Sequence, residues 1–223
     1  MSTAKQESSS RMILVLGGIA LLCGMLIVLA DELSRPFVEA NRRHAIETLA
    51  RQVVPASTVT ITPYVLAGDR LVADTSPDIK GQRLLAAYDA GGELVGVAAE
   101  AAARGYADLV HLVYGYDPVR ETITGFAVVK MAETPGLGDK ILTDKGFLAN
   151  FPNLDTRLSA DGAALANPIV TVGHGKKTDP WQIDAIAGAT VTSRAVGAAL
   201  NQGAGKLLPQ LRRHLETLRR NKP

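Results

Sequence analysis

The strongest constraint on this chain is an uncharged apolar run close to its start. Residues 12–30 read MILVLGGIALLCGMLIVLA, 19 positions without an Asp, Glu, Lys or Arg. As an α-helix that rises about 1.5 Å per residue, this run is roughly 28 Å long, which matches the hydrocarbon core of a bilayer. We therefore expect residues 12–30 to form a transmembrane helix.

A cleaved signal peptide is the alternative, because residues 28–30 (VLA) resemble the small-residue end of a cleavage site. The apolar region of a signal peptide is normally only about 7 to 15 residues long, so the length favours a retained anchor. Lys5 and Arg11 precede the run while Asp31 and Glu32 follow it, which favours a cytoplasmic N-terminus. Further arginines soon after Glu32 weaken that charge count.

The rest of the chain, about 190 residues, is long enough for one domain with a hydrophobic core. Lys and Arg number 24 against 22 Asp and Glu, a balance that argues against a nucleic-acid-binding protein. Cys23, the single cysteine, lies inside the apolar run, which excludes a disulfide, a zinc thiolate site or an iron–sulfur cluster in the soluble part. An electron carrier in this domain would have to be organic.

Strand and helix patterns predict an α+β fold: an antiparallel β-meander with flanking helices, preceded by one N-terminal transmembrane helix. Two pairs of strand-like segments are each joined by turn formers: Leu84–Tyr88 with Leu94–Ala98, and Leu109–Tyr116 with Thr122–Met131. From Thr190 a period of 3.6 residues predicts a helix that ends at Gly203 and Gly205, and a last amphipathic helix follows from Lys206.

A segment of small and hydroxylated residues surrounds the start of that predicted helix. Residues 184–193 read DAIAGATVTS, in which Gly188 and Ala189 allow a ligand close to the backbone. The free N–H groups of a first helical turn and the positive end of the helix dipole would suit a phosphate here. The alternative is structural, with Thr190 merely capping the helix.

A second segment, residues 133–140, reads ETPGLGDK and follows a long predicted strand. Pro135 and Gly136 at its centre predict a tight turn. A loop at a strand end can offer backbone donors and one apolar side chain, Leu137, to a flat ring. The alternative is again that the segment is only a turn.

These two motifs, in this order and behind one N-terminal span, resemble the FMN-binding domains of the Rnf and Na⁺-translocating NADH:quinone oxidoreductase complexes. The resemblance includes residues 105–106 (Gly-Tyr) and is strongest to the G subunits of Rnf, because the C subunits of the other complex are usually longer. In this family FMN is attached by a phosphodiester to the threonine that closes a Ser/Thr-Gly-Ala-Thr motif. That position is Thr190 here, with Ala187 at the first motif position, and Thr192 is the second candidate.

The resemblance implies an electron-transfer subunit with no substrate turnover of its own. Its domain would lie on the periplasmic side of the bacterial inner membrane, beside other subunits of the complex, and a separate flavin transferase would attach the FMN. The cofactor-binding residues that it implies form two sets: Gly188, Ala189, Thr190, Thr192 and Ser193, and Glu133, Thr134, Gly136 and Leu137. The C subunit of the Na⁺-translocating complex, a non-redox membrane-anchored scaffold and a lone extracytoplasmic FMN reductase are the alternatives.

We accordingly divide the chain into five parts by residue number. Residues 1–11 are the cytoplasmic N-terminus, and residues 12–30 are the transmembrane helix. Residues 31–80 form a linker helix and a loop-rich connection, residues 81–205 the FMN-binding domain, and residues 206–223 the C-terminal amphipathic helix.

Overall fold

The structure, a computed structural model, describes residues 9–75 and 79–220. The apolar run lies within a 45-residue helix, α1 (Ser9–Val53), which also includes the helix predicted to follow the membrane. This helix is long and apolar enough to cross a membrane, and the large apolar side chains of the run are exposed. The chain divides into two compact units, residues 1–44 and 45–223. All features below belong to the second unit.

Seven strands form one antiparallel sheet, and the predicted α+β class with its β-meander is confirmed. Their order across the sheet is β2-β1-β3-β4-β5-β6-β7. The strands are β1 (Thr60–Ala67), β2 (Arg70–Ala73), β3 (Gln82–Tyr88), β4 (Leu94–Arg104), β5 (Leu109–Asp117), β6 (Thr122–Lys130) and β7 (Leu154–Asp155).

The hairpin of β1 and β2 extends the sheet into residues that the sequence assigned to a loop-rich connection. Residues 60–67 form one strand between β2 and β3. Pro63 lies within it, just beyond the stretch that pairs with β2, which begins at Tyr64. On the side of β1 that faces β2, strand pairing needs no backbone N–H at position 63. A proline, which has no N–H, is therefore tolerated there.

Five further elements complete the second unit. A short 3₁₀ helix (Gly138–Leu142) and α2 (Lys145–Leu148) follow the loop after β6. Strands β8 (Val170–Val172) and β9 (Gln182–Asp184) form a small parallel pair. The last helix is α3 (Thr190–Arg220).

The two faces of the sheet are covered by different helices. Alternate side chains such as Leu84, Leu112 and Tyr114 pack with Leu200 and Leu207 of α3 in the main core. The side chains on the other face of the sheet pack against the end of α1. They form a smaller cluster there: Ala50, Val53, Val54, Leu85, Ala87, Ala98 and Val113. The period-two alternation of the strands therefore gives each face its own apolar partner.

Helix α3 does not end at Gly203 or Gly205, as the sequence suggested, but runs unbroken to Arg220. Gly203 serves close packing instead, because a Cβ there would lie 2.8 Å from the Cβ of Ala101 and 3.1 Å from the ring of Tyr114. Buried leucines on both sides of this point hold the helix on the sheet and offset the helix-weakening glycines and Pro209.

Gly115 in β5 tests the contact between the sheet and the end of α1. A Cβ at Gly115 would overlap the Val53 carbonyl and the Thr124 hydroxyl, which donates a hydrogen bond to that carbonyl. We expect Gly115→Ala to lower the free energy of unfolding by about 1–3 kcal/mol, as overpacking does. Urea unfolding of the full chain in detergent, followed by circular dichroism, measures the change.

Its cross-strand partner Gly125 is the matched control, because its Cβ position has no atom within 4 Å. Gly125→Ala should change the free energy of unfolding by less than about 0.5 kcal/mol. Equal losses in the two variants would show that packing against Val53 is not what requires glycine in β5.

Candidate functional site

Three segments distant in sequence meet at one edge of the sheet. Strands β4 and β6 both run antiparallel to β5, so they are parallel to each other and their carboxyl ends lie at the same end of the sheet. The turn 105–108 follows β4, and the loop 131–137 follows β6. Contacts with Glu133 bring the first turn of α3 to the same place. The fold thereby brings together the two sequence motifs that predicted a cofactor site.

Glu133 is the common partner of these three segments. Its side chain is only 8% exposed. The carboxylate accepts hydrogen bonds from the backbone N–H groups of Tyr106 (3.3 Å) and Ala107 (3.1 Å) and from the hydroxyl of Thr192. Glu133 was predicted to contact a cofactor, but its oxygens are directed to the protein itself. We call these contacts the Glu133 clamp.

The clamp keeps Glu133 ionised despite its burial. Burial by itself would raise the pKa of Glu133, but the hydrogen bonds from Thr192 and from the N–H groups of Ala107, Tyr106 and Asp108 together lower it below its ordinary value. Several donors around one buried carboxylate stabilise the charged form. Glu133 is therefore negatively charged at neutral pH.

Two glycines make room for this carboxylate. A Cβ at Gly105 would overlap a carboxylate oxygen of Glu133, and a Cβ at Gly138 would lie 2.6 Å from the Cβ of Glu133 and 3.0 Å from the Thr192 hydroxyl oxygen. Both positions therefore require a residue without a side chain as long as Glu133 and Thr192 stay in place.

The loop after β6 contains the tight turn that the sequence predicted. The carbonyl of Thr134 accepts hydrogen bonds from the N–H groups of Leu137 (3.2 Å) and Gly138 (3.0 Å), and Gly136 has a φ of +78°. Such a φ favours glycine. Leu137 stands at the tip with its side chain 49% exposed. The turn thus presents an apolar side chain to solvent, where a flat ring could cover it.

The three hydroxyls at the start of α3 differ in how far they are engaged. Ser193 is buried, donates to the Ala189 carbonyl (2.9 Å) and accepts from the Ile186 N–H (3.1 Å). Thr192 is 3% exposed and donates to Glu133. Thr190 is half-buried, and within the described part of the chain its hydroxyl has only a 3.5 Å contact with the Ile186 carbonyl. Thr190 therefore carries the most accessible and least engaged hydroxyl of the three.

The backbone around Thr190 is suited to an anion. Gly188 is exposed with a φ of +80°, and Ala189 precedes the first helical residue. A helix that begins at Thr190 leaves the N–H groups of its first turn without acceptors inside the helix. These donors and the helix dipole favour a phosphate at this end.

Asp139 adds an unsatisfied acceptor beside the clamp. It follows Gly138 directly, and one of its carboxylate oxygens is buried without a hydrogen-bond partner among the residues that the structure describes. A buried acceptor of this kind needs a donor. A water molecule or a bound group with hydroxyl or N–H donors would supply one.

Asn150 supports the site, although no sequence motif pointed to it. Its buried carboxamide accepts from the Asp184 N–H (3.0 Å) and donates to the Phe147 carbonyl (2.9 Å). Asp184, in turn, accepts from the backbone N–H groups of Gly175 (2.9 Å) and Lys176 (3.2 Å). These bonds fix the strand that leads into the Thr190 segment.

The described part of the chain contains no cluster of three or more His, Cys, Asp or Glu side chains that could hold a metal ion. The site itself offers an accessible hydroxyl, a helix start suited to an anion and an exposed apolar loop.

Comparison with known proteins agrees with this geometry. A family model described as "FMN-binding domain" matches residues 105–205, a range that begins at the clamped turn and includes both motifs. The chain is 30% identical over 207 residues to the G subunit of the ion-translocating oxidoreductase complex of Pseudomonas aeruginosa strain PAO1, covering 91% of this chain and 90% of that one. It is 36% identical over 115 residues to the protein of the same name from Methanosarcina acetivorans, covering 51% and 52%.

Two solved structures share the fold. Shewanella oneidensis NqrC aligns with a TM-score of 0.60 at 20% identity, over 82% of this chain and all of that one. The C subunit of the Na⁺-translocating NADH-quinone reductase from Parabacteroides distasonis aligns with a TM-score of 0.56 at 18% identity, over 77% and 94%. At these identities the likeness is one of fold alone.

Removing the charge of Glu133 tests the clamp. We expect Glu133→Gln to lower the free energy of unfolding at pH 7 by about 1–3 kcal/mol, because buried donors lose a charged acceptor. Glu216→Gln on the exposed side of α3 is the control. Chemical unfolding of the full chain in detergent measures both variants.

The pH dependence gives a second measurement on the same variants. Since the pKa of Glu133 is lower in the folded chain than its ordinary value of 4.5, its ionisation stabilises the fold above that value, and this contribution is lost as the pH falls through the lowered pKa. Glu133→Gln should therefore lose less stability than the wild type on acidification below pH 4.5. Parallel curves would contradict the clamp.

Proposed function

This chain belongs to the family of G subunits of ion-translocating oxidoreductase complexes, and we propose that it carries FMN covalently on Thr190 and passes electrons within such a complex. The observation that carries the proposal is the contrast between the hydroxyls of α3. Of the three, the Thr190 hydroxyl alone is accessible and makes only a long hydrogen bond. Thr192 and Ser193 are buried, and their hydroxyls already donate hydrogen bonds to protein acceptors.

The start of α3 would hold the phosphate of the flavin. The Thr190 hydroxyl would provide the ester oxygen, and the free N–H groups of the first turn would face the remaining phosphate oxygens. Gly188 is exposed and leaves the backbone open on this side, whereas Ala189 is buried in the core. The exposed side chain of Arg194, one turn along, would add positive charge.

The loop after β6 would hold the ring. Leu137 is exposed at its tip, and Val191 and Tyr106 are exposed on the two segments that the Glu133 clamp joins to it. These apolar surfaces would gain by covering a flat aromatic system. FMN, when bound, supplies the exchange of electrons, and the protein holds and tunes the ring.

The same observations weigh against the other candidates. Thr192 is a poor attachment point because its hydroxyl donates to Glu133 in a buried position. A scaffold without a cofactor would give no role to the accessible Thr190 hydroxyl at the start of α3. The relatives that match over most of their length are named as G subunits, which favours that membership over the C subunits of the Na⁺-translocating complex.

The proposal also covers location and partners. The apolar part of α1 anchors the chain, and the other subunits of the complex are its electron donors and acceptors. We place the domain on the periplasmic side of the bacterial inner membrane, where a flavin transferase attaches the FMN. The acidic residues directly after the apolar run support this orientation.

Substitution of Thr190 tests the attachment. We expect Thr190→Ala to abolish covalent FMN while the protein still folds, since the loss of one hydroxyl at a helix start costs only about 1 kcal/mol. The mass of the intact protein, produced together with a flavin transferase, shows whether FMN is bound.

Thr192→Ser is the matched control, because it keeps the hydroxyl that the Glu133 clamp uses and should keep the FMN mass. A Thr190→Ala chain that retains the FMN mass would place the attachment elsewhere. In-gel fluorescence of the denatured wild-type protein gives an independent readout of covalent flavin.

Leu137→Ala tests the position of the ring. We expect it to keep covalent FMN but to shift the absorption spectrum or the reduction potential, because one apolar contact of the ring is lost. Val119→Ala, in the exposed turn between β5 and β6, is the control and should change neither property. An unchanged potential in Leu137→Ala and in Thr134→Ala would place the ring away from this loop.

A thiol placed in the domain tests the orientation. In a Cys23→Ser background, Val119→Cys puts a single exposed thiol in the turn between β5 and β6. A maleimide that does not cross the inner membrane should label it in intact cells with a permeabilised outer membrane. Labelling only after the inner membrane is broken would place the domain in the cytoplasm.

A further inference from the structure

The charge of Glu133 lies inside the candidate site without a cation beside it. The groups that donate hydrogen bonds to its carboxylate are neutral: the backbone N–H groups of Tyr106 and Ala107 and the hydroxyl of Thr192. Among the residues that the structure describes, no Lys, Arg or His side chain contributes to holding the carboxylate in its charged form. Neutral donors stabilise an ionised carboxylate but do not cancel its charge.

The basic residues that flank the three clamped segments are all exposed. They are Arg104, Lys130, Lys140 and Arg194. Water and salt screen exposed charges strongly and buried charges much less. The side chain of Glu133 is only 8% exposed, so its charge is the least screened of this group.

A second carboxylate lies beside the clamp and has the same sign. Asp139 is half-buried and directly follows Gly138, whose Cβ position would be 2.6 Å from the Cβ of Glu133. Neither Asp139 nor Glu133 forms an ion pair within the described part of the chain. The electrostatic potential at this end of the sheet is therefore negative next to the clamp, although the outer rim is basic.

Each surface that the site offers to a flat ring belongs to a segment that contains or contacts Glu133. Leu137 lies in the same loop as Glu133, and Tyr106 donates its N–H to the carboxylate. Thr192, whose hydroxyl donates to Glu133, is two residues beyond Thr190, which corresponds to roughly 3 Å along the helix axis. A ring attached at Thr190 and placed on any of these surfaces is close to the charge.

We propose that the negative charge of Glu133 lowers the reduction potential of a flavin attached at Thr190. This role rests on the proposed function. An electron that enters the ring adds one negative charge there, and a fixed charge of the same sign nearby opposes that addition. The electron comes from a neighbouring redox carrier of the complex, which is oxidised by one electron, and no bond forms or breaks in the transfer.

Glu133 thereby has an electrostatic role besides its structural one. It exchanges neither an electron nor a proton, and it acts on the ring only through its charge. A ring with a lowered potential is a weaker electron acceptor and a stronger electron donor. The charge therefore favours passing the electron on to the next carrier over keeping it.

A redox titration of the full chain tests this role. The protein is produced together with a flavin transferase, and the flavin absorbance is followed in detergent at pH 7 against electrode potential. We expect Glu133→Gln to raise the equilibrium constant for uptake of the first electron by about tenfold, which corresponds to about 59 mV. Glu216→Gln, an exposed charge near the other end of α3, is the control and should leave the potential unchanged.

Two further variants separate charge from geometry. Glu133→Asp keeps the negative charge but shortens the side chain, and Thr192→Val removes one donor of the clamp without a change of charge. Both should move the potential clearly less than Glu133→Gln does. An unchanged potential in Glu133→Gln, or an equal shift in Glu133→Asp, would overturn the proposal.

Asp139→Asn provides the measurement if Glu133→Gln does not fold or does not retain FMN. It removes the neighbouring carboxylate and leaves the hydrogen bonds of the clamp in place. We expect an upward shift of the potential, because the ring then faces one negative charge fewer. A potential that stays the same or falls would overturn the electrostatic role.

The mass of bound FMN, measured on the same samples, separates this proposal from the proposed function. Covalent FMN together with a potential that does not respond to the carboxylates would contradict only the electrostatic role. A wild-type chain without covalent FMN would contradict the attachment at Thr190 and, with no ring for the charge to act on, the electrostatic role as well.

Discussion

The geometry of the candidate site depends on one buried carboxylate. Glu133 accepts hydrogen bonds from the turn after β4 and from the first turn of α3, and it belongs itself to the loop after β6. The turn and the loop are short and irregular, and such segments hold a fixed position only when something outside them supplies contacts. The sheet brings the two strand ends to one edge, and the carboxylate then fixes their spacing to the helix that carries Thr190.

Much of this architecture follows from sequence patterns. The strand pairs around residues 89–92 and 117–118 were predicted from turn formers, and the helix start at Thr190 from the 3.6-residue period. The β1–β2 hairpin was missed because Pro63 and nearby hydroxyl residues are typical of loops. The unbroken course of α3 was missed because a glycine such as Gly203 is typical of a helix end. Here Gly203 instead allows α3 to pack closely against Ala101 and Tyr114.

The site itself could be predicted only in part. The motifs identified which residues meet, but three of the donors to Glu133 are backbone N–H groups, and no side-chain pattern encodes a backbone N–H. Only the motif of the resembling family ranked Thr190 above Thr192, because residue type and pattern do not separate them. Their residue type is identical, and the difference between them is burial and a hydrogen-bond partner 59 positions away.

The Glu133 clamp links the amino acids allowed at four positions. Gly105 and Gly138 are glycines because a glutamate side chain and a threonine hydroxyl occupy the space that their Cβ atoms would need. A shorter acidic residue at position 133 would remove the carboxylate from the Gly105 position, but its Cβ would still lie against Gly138, and its carboxylate would not span the gap to both the turn and the helix. Across related chains, substitutions at positions 105, 133, 138 and 192 should therefore occur together, and a divergent sequence that keeps only some of them should have a different geometry around its flavin.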